Sequence, residues 1–237
     1  KLTANAFLAQ RISSINSISA LCEQTGADVR EVSRAIGSDS RIGSKFLDSG
    51  PGFGGSCFKK DIFNLVYLSE YFGLPEVANF WEGVVNLNNW HQKRISKLVV
   101  KKLFGTVANK KITILGFAFK ANTNDTRESA AINICKDLIA EGAILYIHDP
   151  KVKKSQIYHD LNLLSKNDET FEEDKVKVEI NIDKALQGAD AALILTEWDE
   201  YSRINWERIA PTMRQPCWVF DSRLILDYER ASKAGLR

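Results

Sequence analysis

Between Leu2 and Leu21 apolar residues recur at Leu2, Ala6, Ala9, Ile12, Ile15, Ile18 and Leu21. Steps of three and four predict one face of a long helix. Ser13, Ser14, Asn16 and Ser17, small and polar, lie between them, and Gly26 suits the C-terminal cap. Side chains this small let another helix approach closely. The spacing predicts a second, short helix in "ADVREVSRAIG", stopping at Gly37. A third is expected in "CFKKDIFNLVYLSEYFG", apolar at Ile62, Leu65, Val66, Leu68 and Phe72 and closed by Gly73. A fourth and long one runs from about Pro75 to Leu103, with a basic far end that suits a helix C-terminus.

The pattern changes near Gly105. "KKITILGFAF" is a short apolar run that ends in glycine, as a buried strand does. "RESAAINICKDLIAEG" reads as an amphipathic helix and "AILYIHDP" as a second strand. "KVEINI" is expected as a third strand, "IDKALQGA" as a helix, and "DAALILT" and "CWVFDSR" as further strands. The charged segment from Lys151 to Lys175 is read as a helix followed by a surface loop. Strands alternating with helices predict a doubly wound parallel sheet. The chain therefore divides into an all-α part, 1–105, and an α/β part, 106–237, joined by the long helix. A helix of that length suits a spine for a domain or subunit interface.

Composition narrows the function classes. A net charge of +2 is too small to favour nucleic acid, so an anionic partner needs a local basic cluster. There is no apolar run of transmembrane length and no signal peptide. The four cysteines, Cys22, Cys57, Cys135 and Cys217, are far apart, and the three histidines lie near none of them. That spacing argues against a zinc site and for reduced thiols in the cytoplasm. The opening "KLTANAFLAQ" is already helical and carries no start signal, so the chain reads as a fragment whose N-terminal part is missing.

Two stretches could carry chemistry. "GPGFGGSCFKKD" sets Cys57 after a glycine-rich loop and at the start of a helix, with Lys59 and Lys60 close by. Such a loop suits an anion, and all three features favour a reactive thiolate. The competing reading is a flexible surface loop with an inert cysteine. Asp61 falls one turn after Cys57 on the same face, where it could serve an acid–base step or merely face the helix dipole. "GFAFKANTNDTRES" joins the first strand to its helix, at the edge where open α/β sheets bind ligands. It lacks the GxGxxG fingerprint but offers Lys120, Arg127 and backbone donors. "FDSR" brings Arg223 to the same edge. Asp149 could read a ribose or simply end a strand, His148 reads as structural, and Trp198 suits packing better than stacking on a base.

In this order, these motifs resemble the central and nucleotide-binding domains of the UDP-glucose/GDP-mannose dehydrogenase family over essentially the whole chain. "CFKKD" has no proline, which is similar to the branch that acts on UDP-glucose. The resemblance implies NAD as cofactor and oxidation of UDP-glucose to UDP-glucuronate by two hydride transfers, with the sugar held on Cys57 between them. It implies a central helical dimerisation domain, a Rossmann-like UDP-binding domain, and an NAD-binding domain absent from this piece, which alone is expected to turn nothing over. Lys1, Asn5 and Asp61 match catalytic positions beside Cys57. Arg41, Phe46, Leu47, Gly50, Phe53, Gly54, Phe119, Lys120 and Arg223 match substrate positions, and Gly55 and Arg127 match contacts to NAD. Leu224 stands where many relatives carry Asn or Arg, and Asp48 where some carry a basic residue. GDP-mannose or UDP-N-acetylmannosamine is the alternative substrate. A UDP-binding dimerisation module without activity is the alternative for the piece alone. The implied partners are a second copy and the nucleotide sugar, with no nucleic acid, membrane or metal.

Overall fold

The computed structural model describes residues 1–163 and 175–237. It divides into two compact units, Lys1–Arg94 and Ile95–Arg237. The division falls inside the long helix rather than near 105, because Ile95, Val99 and Leu103 belong to the core of the sheet unit.

The first unit holds α1 (Leu2–Thr25), α2 (Val29–Gly37), α3 (Phe58–Tyr71) and most of α4 (Pro75–Lys102). Gly26 caps α1 at φ 78, a left-handed conformation that glycine adopts without steric cost. Gly73, at φ 69, follows α3, and Pro75 opens α4. Glycine after one helix and proline at the head of the next follow the usual asymmetry of helix ends. Ala6 and Ala9 of α1 are fully buried, with Ile62 and Val66 of α3 and Trp81, Val84 and Val85 of α4 in the same core.

The buried face of α1 matches its apolar spacing at Ala6, Ala9 and Ile15 and departs from it toward the C-terminal half. Ser13, Asn16 and Ser19 are buried, whereas Leu21 is 61% exposed. Ser13 Oγ donates to the Val84 carbonyl at 3.1 Å, so this face joins its neighbours through polar contacts as well as packing.

The second unit is a five-stranded sheet of β1 (Lys111–Leu115), β2 (Ile144–His148), β3 (Val176–Val178), β4 (Ala191–Ile194) and β5 (Trp218–Asp221). The order is β3-β2-β1-β4-β5 and every pairing is parallel. The chain leaves β1 toward β2 and β3, then returns to β4 on the other side. The C-terminal ends of β1 and β4 therefore flank the switch point at which such sheets bind ligands. Between the strands lie α5 (Ala130–Ala140), α6 (Lys154–Asp160), α7 (Ile182–Leu186), α8 (Asp199–Ser202) and α9 (Trp206–Ile209), and α10 (Tyr228–Lys233) follows β5. β3 is shorter and earlier than "KVEINI" suggests. Asn181 leaves the strand to cap α7, accepting from Lys184 N at 3.0 Å, and Ile180 is 94% exposed. The helix expected after Lys151 is α6; the loop expected beyond it lies mostly outside the described residues.

Candidate functional site

In the helical unit, α1 and α3 pack together and bring their N-terminal turns side by side. Asn5 Nδ2 donates to Asp61 Oδ2 at 2.6 Å. Lys1 lies one turn before Asn5, whose N–H donates to the Lys1 carbonyl at 3.0 Å, and it is exposed. Cys57 occupies the N-cap of α3, and its carbonyl accepts from Asp61 N at 2.8 Å. The Cys57 thiol is exposed, with Ser56 Oγ 3.7 Å from Sγ, while Cys22, Cys135 and Cys217 are buried. Lys1, Asn5, Cys57 and Asp61 thus come from two helix starts that the Asn5–Asp61 bond ties together.

The glycine-rich loop is anchored rather than pliable, and the reading of it as a flexible surface loop is corrected. Asn16 Oδ1 accepts from Gly50 N at 3.0 Å and from Ser49 Oγ at 3.3 Å. The Gly50 carbonyl accepts from His91 Nε2 at 2.9 Å. Asn88 accepts from Phe53 N at 2.9 Å and donates to its carbonyl at 3.2 Å. Gly52 has φ 125, and a Cβ there would stand 2.7 Å from Asn88 Oδ1. Upstream, the Arg11 guanidinium donates to the carbonyls of Ile42, Gly43 and Lys45, each at 2.7 Å. Phe46 follows at φ 61, a left-handed conformation unusual for an aromatic residue.

Sequence reasoning missed Arg11, Asn16, Asn88 and His91. A signal existed for two of them. The buried stripe of α4 runs through Trp81, Val84 and Val85, continues through Asn88, His91 and Gln92, and returns to Ile95 and Val99. Polar residues that interrupt an apolar stripe in register must be bonded to something buried.

Of the other expected residues in this unit, Leu47 and Phe53 are buried, and the Leu47 carbonyl accepts from Ser33 Oγ at 2.9 Å. Gly54 is partly exposed, and Gly55 is buried at φ 84. Arg41 is exposed and folds back on Asp39, holding that carboxyl below the usual range.

In the sheet unit, Arg223 reaches across the C-terminal edge. Its Nε donates to the Leu195 carbonyl at 2.9 Å, and Nη2 donates to the Phe119 carbonyl at 3.2 Å. Glu197 Oε2 is 3.1 Å from Nε, and Glu197 Oε1 accepts from Ala121 N at 3.2 Å. Arg223 thereby joins the loop after β1 to the ends of β4 and β5. Lys120 is exposed, its ammonium 5.4 Å from the Phe119 ring centre. Arg127 is exposed and binds Asp125 through its backbone N–H, Nε and Nη2.

Four Asp-x-Arg triplets recur along the chain: Asp28–Arg30, Asp39–Arg41, Asp125–Arg127 and Asp221–Arg223. In each, the arginine N–H donates to the aspartate two residues before it. In the first three the guanidinium also closes on that aspartate. In the fourth it turns away to the strand ends. Leu224, next to Arg223, is held at φ 55.

Asp149 does not offer its carboxylate to a ribose. Oδ2 accepts from Phe117 N at 2.7 Å, Ala118 N at 3.0 Å and Trp198 Nε1 at 3.2 Å. Oδ1 accepts from Lys151 N and Val152 N, both at 2.9 Å. It ties the turn after β1 to the end of β2, and Trp198 is buried against it. His148 is buried, with Nε2 3.1 Å from the Ile180 carbonyl and Nδ1 2.9 Å from Tyr201 Oη.

Residues 1–90 match the central-domain model of the UDP-glucose/GDP-mannose dehydrogenase family, and residues 113–228 match its UDP-binding-domain model. The chain belongs to this family. It is 54% identical over 237 residues to the UDP-glucose 6-dehydrogenase of Drosophila melanogaster, covering 99% of this chain and 50% of that protein. It is 52% identical to the Caenorhabditis elegans enzyme of the same name, covering 100% of this chain and 49% of that one. A UDP-glucose dehydrogenase structure from Pyrobaculum islandicum superposes with a TM-score of 0.83 at 27% identity, over 100% of this chain and 48% of that one. The chain thus spans about half the length of the curated relatives it matches.

Proposed function

We propose that this chain is the thiol-bearing and UDP-sugar-binding part of a UDP-glucose 6-dehydrogenase, which oxidises the C6 alcohol of UDP-glucose to the carboxylate of UDP-glucuronate. The observation that carries the proposal is the Asn5–Asp61 bond at 2.6 Å beside the exposed Cys57 at the head of α3. It gathers a nucleophile, a carboxylate, an amide and, one turn away, an ammonium in a member of this family.

NAD is the implied cofactor, and the sheet unit does not form a dinucleotide cradle for it. The turn after β1 lacks the glycine fingerprint, Phe117 fills it as a buried side chain, and the Asp149 carboxylate is already bonded to five donors. We assign to NAD Gly55 of the helical unit and, separately, Arg127 of the sheet unit; the chemistry it would supply is acceptance of one hydride by each of two successive NAD molecules.

The chain's own residues do the rest. Cys57 Sγ forms a bond to C6 at the aldehyde level and keeps it until the carboxylate level, so no free aldehyde escapes. Lys1 and the second N–H of Asn5 stabilise charge on the C6 oxygen. Asp61, positioned by Asn5, assists the water that breaks the C6–S bond. Phe46, Leu47, Gly50, Phe53 and Gly54 belong to the loop around the sugar diphosphate, and Arg41 reaches the substrate of a partner copy. Phe119, Lys120 and Arg223 hold the UDP end. A homodimer through the helical unit belongs to the same reading, supported by the exposed aromatics Tyr67, Tyr71, Phe72 and Phe80. A cytoplasmic location suits four free thiols.

Calorimetry with UDP-glucose, GDP-mannose and UDP-N-acetylmannosamine tests the substrate. Binding of UDP-glucose above the other two is expected, and preference for either alternative would replace it. In the longer protein, Cys57→Ser is expected to bind UDP-glucose and release no UDP-glucuronate. Undiminished product from that variant would remove the nucleophile role. The 237-residue chain alone is expected to bind without reducing NAD.

A further inference from the structure

Ser49–Phe53 belongs to no helix or strand, yet the main-chain groups of Gly50 and Phe53 within it are satisfied. The N–H of Gly50 is taken by Asn16 of α1, and its carbonyl by His91 of α4. Both main-chain groups of Phe53 are taken by Asn88 of α4. Three side chains thus do the work of a neighbouring strand. No main-chain hydrogen bond of Gly54, Gly55 or Ser56 is recorded among the described residues, and Cys57 follows at once.

The orientation of each side chain is fixed. Gly50 and Phe53 N–H can only donate, so each asparagine must turn Oδ1 toward the loop. The Gly50 carbonyl can only accept, so His91 carries its proton on Nε2. Burial lowers the pKa of His91, which agrees with a neutral ring.

This arrangement is costly to the core. Asn16 Nδ2 and His91 Nδ1 are buried and have no hydrogen-bond partner among the described residues. Leucine or isoleucine at either position would leave no such orphan. Side chains that leave one polar atom unpaired while serving the loop with the other are accounted for by the loop.

We propose that Asn16, Asn88 and His91 are positioning residues for Cys57. They fix the path of Ser49–Phe53 from beneath and leave Gly54–Ser56 as a short tether, which sets where α3 begins and where its thiol sits. The functional weight of this rests on the reading of Cys57 as nucleophile; the mechanical claim does not.

The test uses the 237-residue chain, in which Cys57 is the one exposed thiol. Hydrogen exchange of the 53–61 segment and the rate of Cys57 alkylation by iodoacetamide are compared among wild type, His91→Leu and His91→Gln. Losing one buried hydrogen bond corresponds to about a fivefold change in a local equilibrium. His91→Leu is therefore expected to speed exchange of this segment about fivefold and to accelerate alkylation, with the later turns of α3 unchanged. His91→Gln keeps an N–H donor and is expected to restore both. Asn16→Ala must reproduce the effect from the other helix, and it decides the matter if His91→Leu does not fold.

Exchange and alkylation unchanged in the leucine variant, or exchange raised equally along all helices of the unit, would overturn the proposal. UDP-glucose is added in a separate arm. If it fails to protect Cys57 in the wild-type chain, the substrate reading falls, while the exchange data still decide the clamp.

Discussion

Gly116→Ala is expected to unravel the ligand edge of the sheet. Gly116 lies just after β1 with φ +97, and a Cβ there would stand 2.4 Å from Thr196 Cβ, 2.5 Å from its Oγ1 and 2.8 Å from its backbone N. Thr196 cannot step aside. It is fully buried, and Oγ1 donates to the Ala118 carbonyl at 2.6 Å. A positive φ costs an L-residue about 1–2 kcal/mol. Forced repacking of a filled site adds about 1–3 kcal/mol. Weakening the Thr196–Ala118 bond adds about 1 kcal/mol. The total is about 3–6 kcal/mol, a large share of the 5–15 kcal/mol roughly typical of a domain. Hydrogen exchange at the amides of β1 and β4 measures the opening free energy directly. A loss of at least about 3 kcal/mol in these strands is expected, with α1 and α3 unaffected because they belong to the other unit. A loss below about 1 kcal/mol would show that Thr196 and the turn relax freely, refuting the close-contact argument.

Two further outcomes test the site's electrostatics. A double-mutant cycle of Asn5→Ala and Asp61→Ala should give a coupling of about 1 kcal/mol in urea unfolding, as suits one half-buried hydrogen bond to a carboxylate; strictly additive losses would mean the two helix starts are not tied. The second concerns pH. Burial lowers the folded-state pKa of His91 and of His148. Above about pH 6.5 both rings are neutral in either state and contribute no pH dependence. As pH falls through that value the unfolded chain takes up protons first, so stability declines until the folded-state pKa is reached. Thermal unfolding at pH 7 and pH 5 should show this decline, reduced by His148→Gln for the sheet unit and by His91→Gln for the helical unit. A flat profile in the wild-type chain would contradict buried, neutral rings.

Much of the architecture could be read from periodicity alone, because helix faces and buried parallel strands impose their own spacing. The four helices of the first unit and the doubly wound sheet are of this kind. The inner face of α1 was legible only in part. Its apolar steps find Ala6, Ala9 and Ile15, but they continue to Ile18 and Leu21, whereas the helix meets a loop N–H that needs an acceptor and a helix carbonyl that needs a donor, so Asn16 and Ser13 are buried. The anchored state of the glycine-rich loop was hidden for the same reason. Glycines announce conformational freedom, and what removes that freedom lies 35 and 41 residues away, on α4. Asp149 illustrates the converse. Its position at the end of β2 fits a ribose contact, and only the five donors around it show that the carboxylate is a structural knot.

The four Asp-x-Arg triplets show where local chemistry stops being informative. Each contains the same short-range option, an arginine closing on the carboxylate two residues before it. Arg30, Arg41 and Arg127 take it in exposed positions, where a surface ion pair contributes roughly 0–1 kcal/mol. Asp221 instead accepts from Leu226 N at 2.8 Å as well as from Arg223 N at 3.0 Å, and the Arg223 guanidinium is diverted to two strand-end carbonyls and Glu197. Burial lowers the pKa of Arg223, but Glu197 and Asp221 oppose that shift and keep the charge in place. With Nε and Nη2 held by the protein, the direction of the guanidinium fork is already set. That is pre-organisation supplied by the meeting of β1, β4 and β5, and no triplet read in isolation contains it.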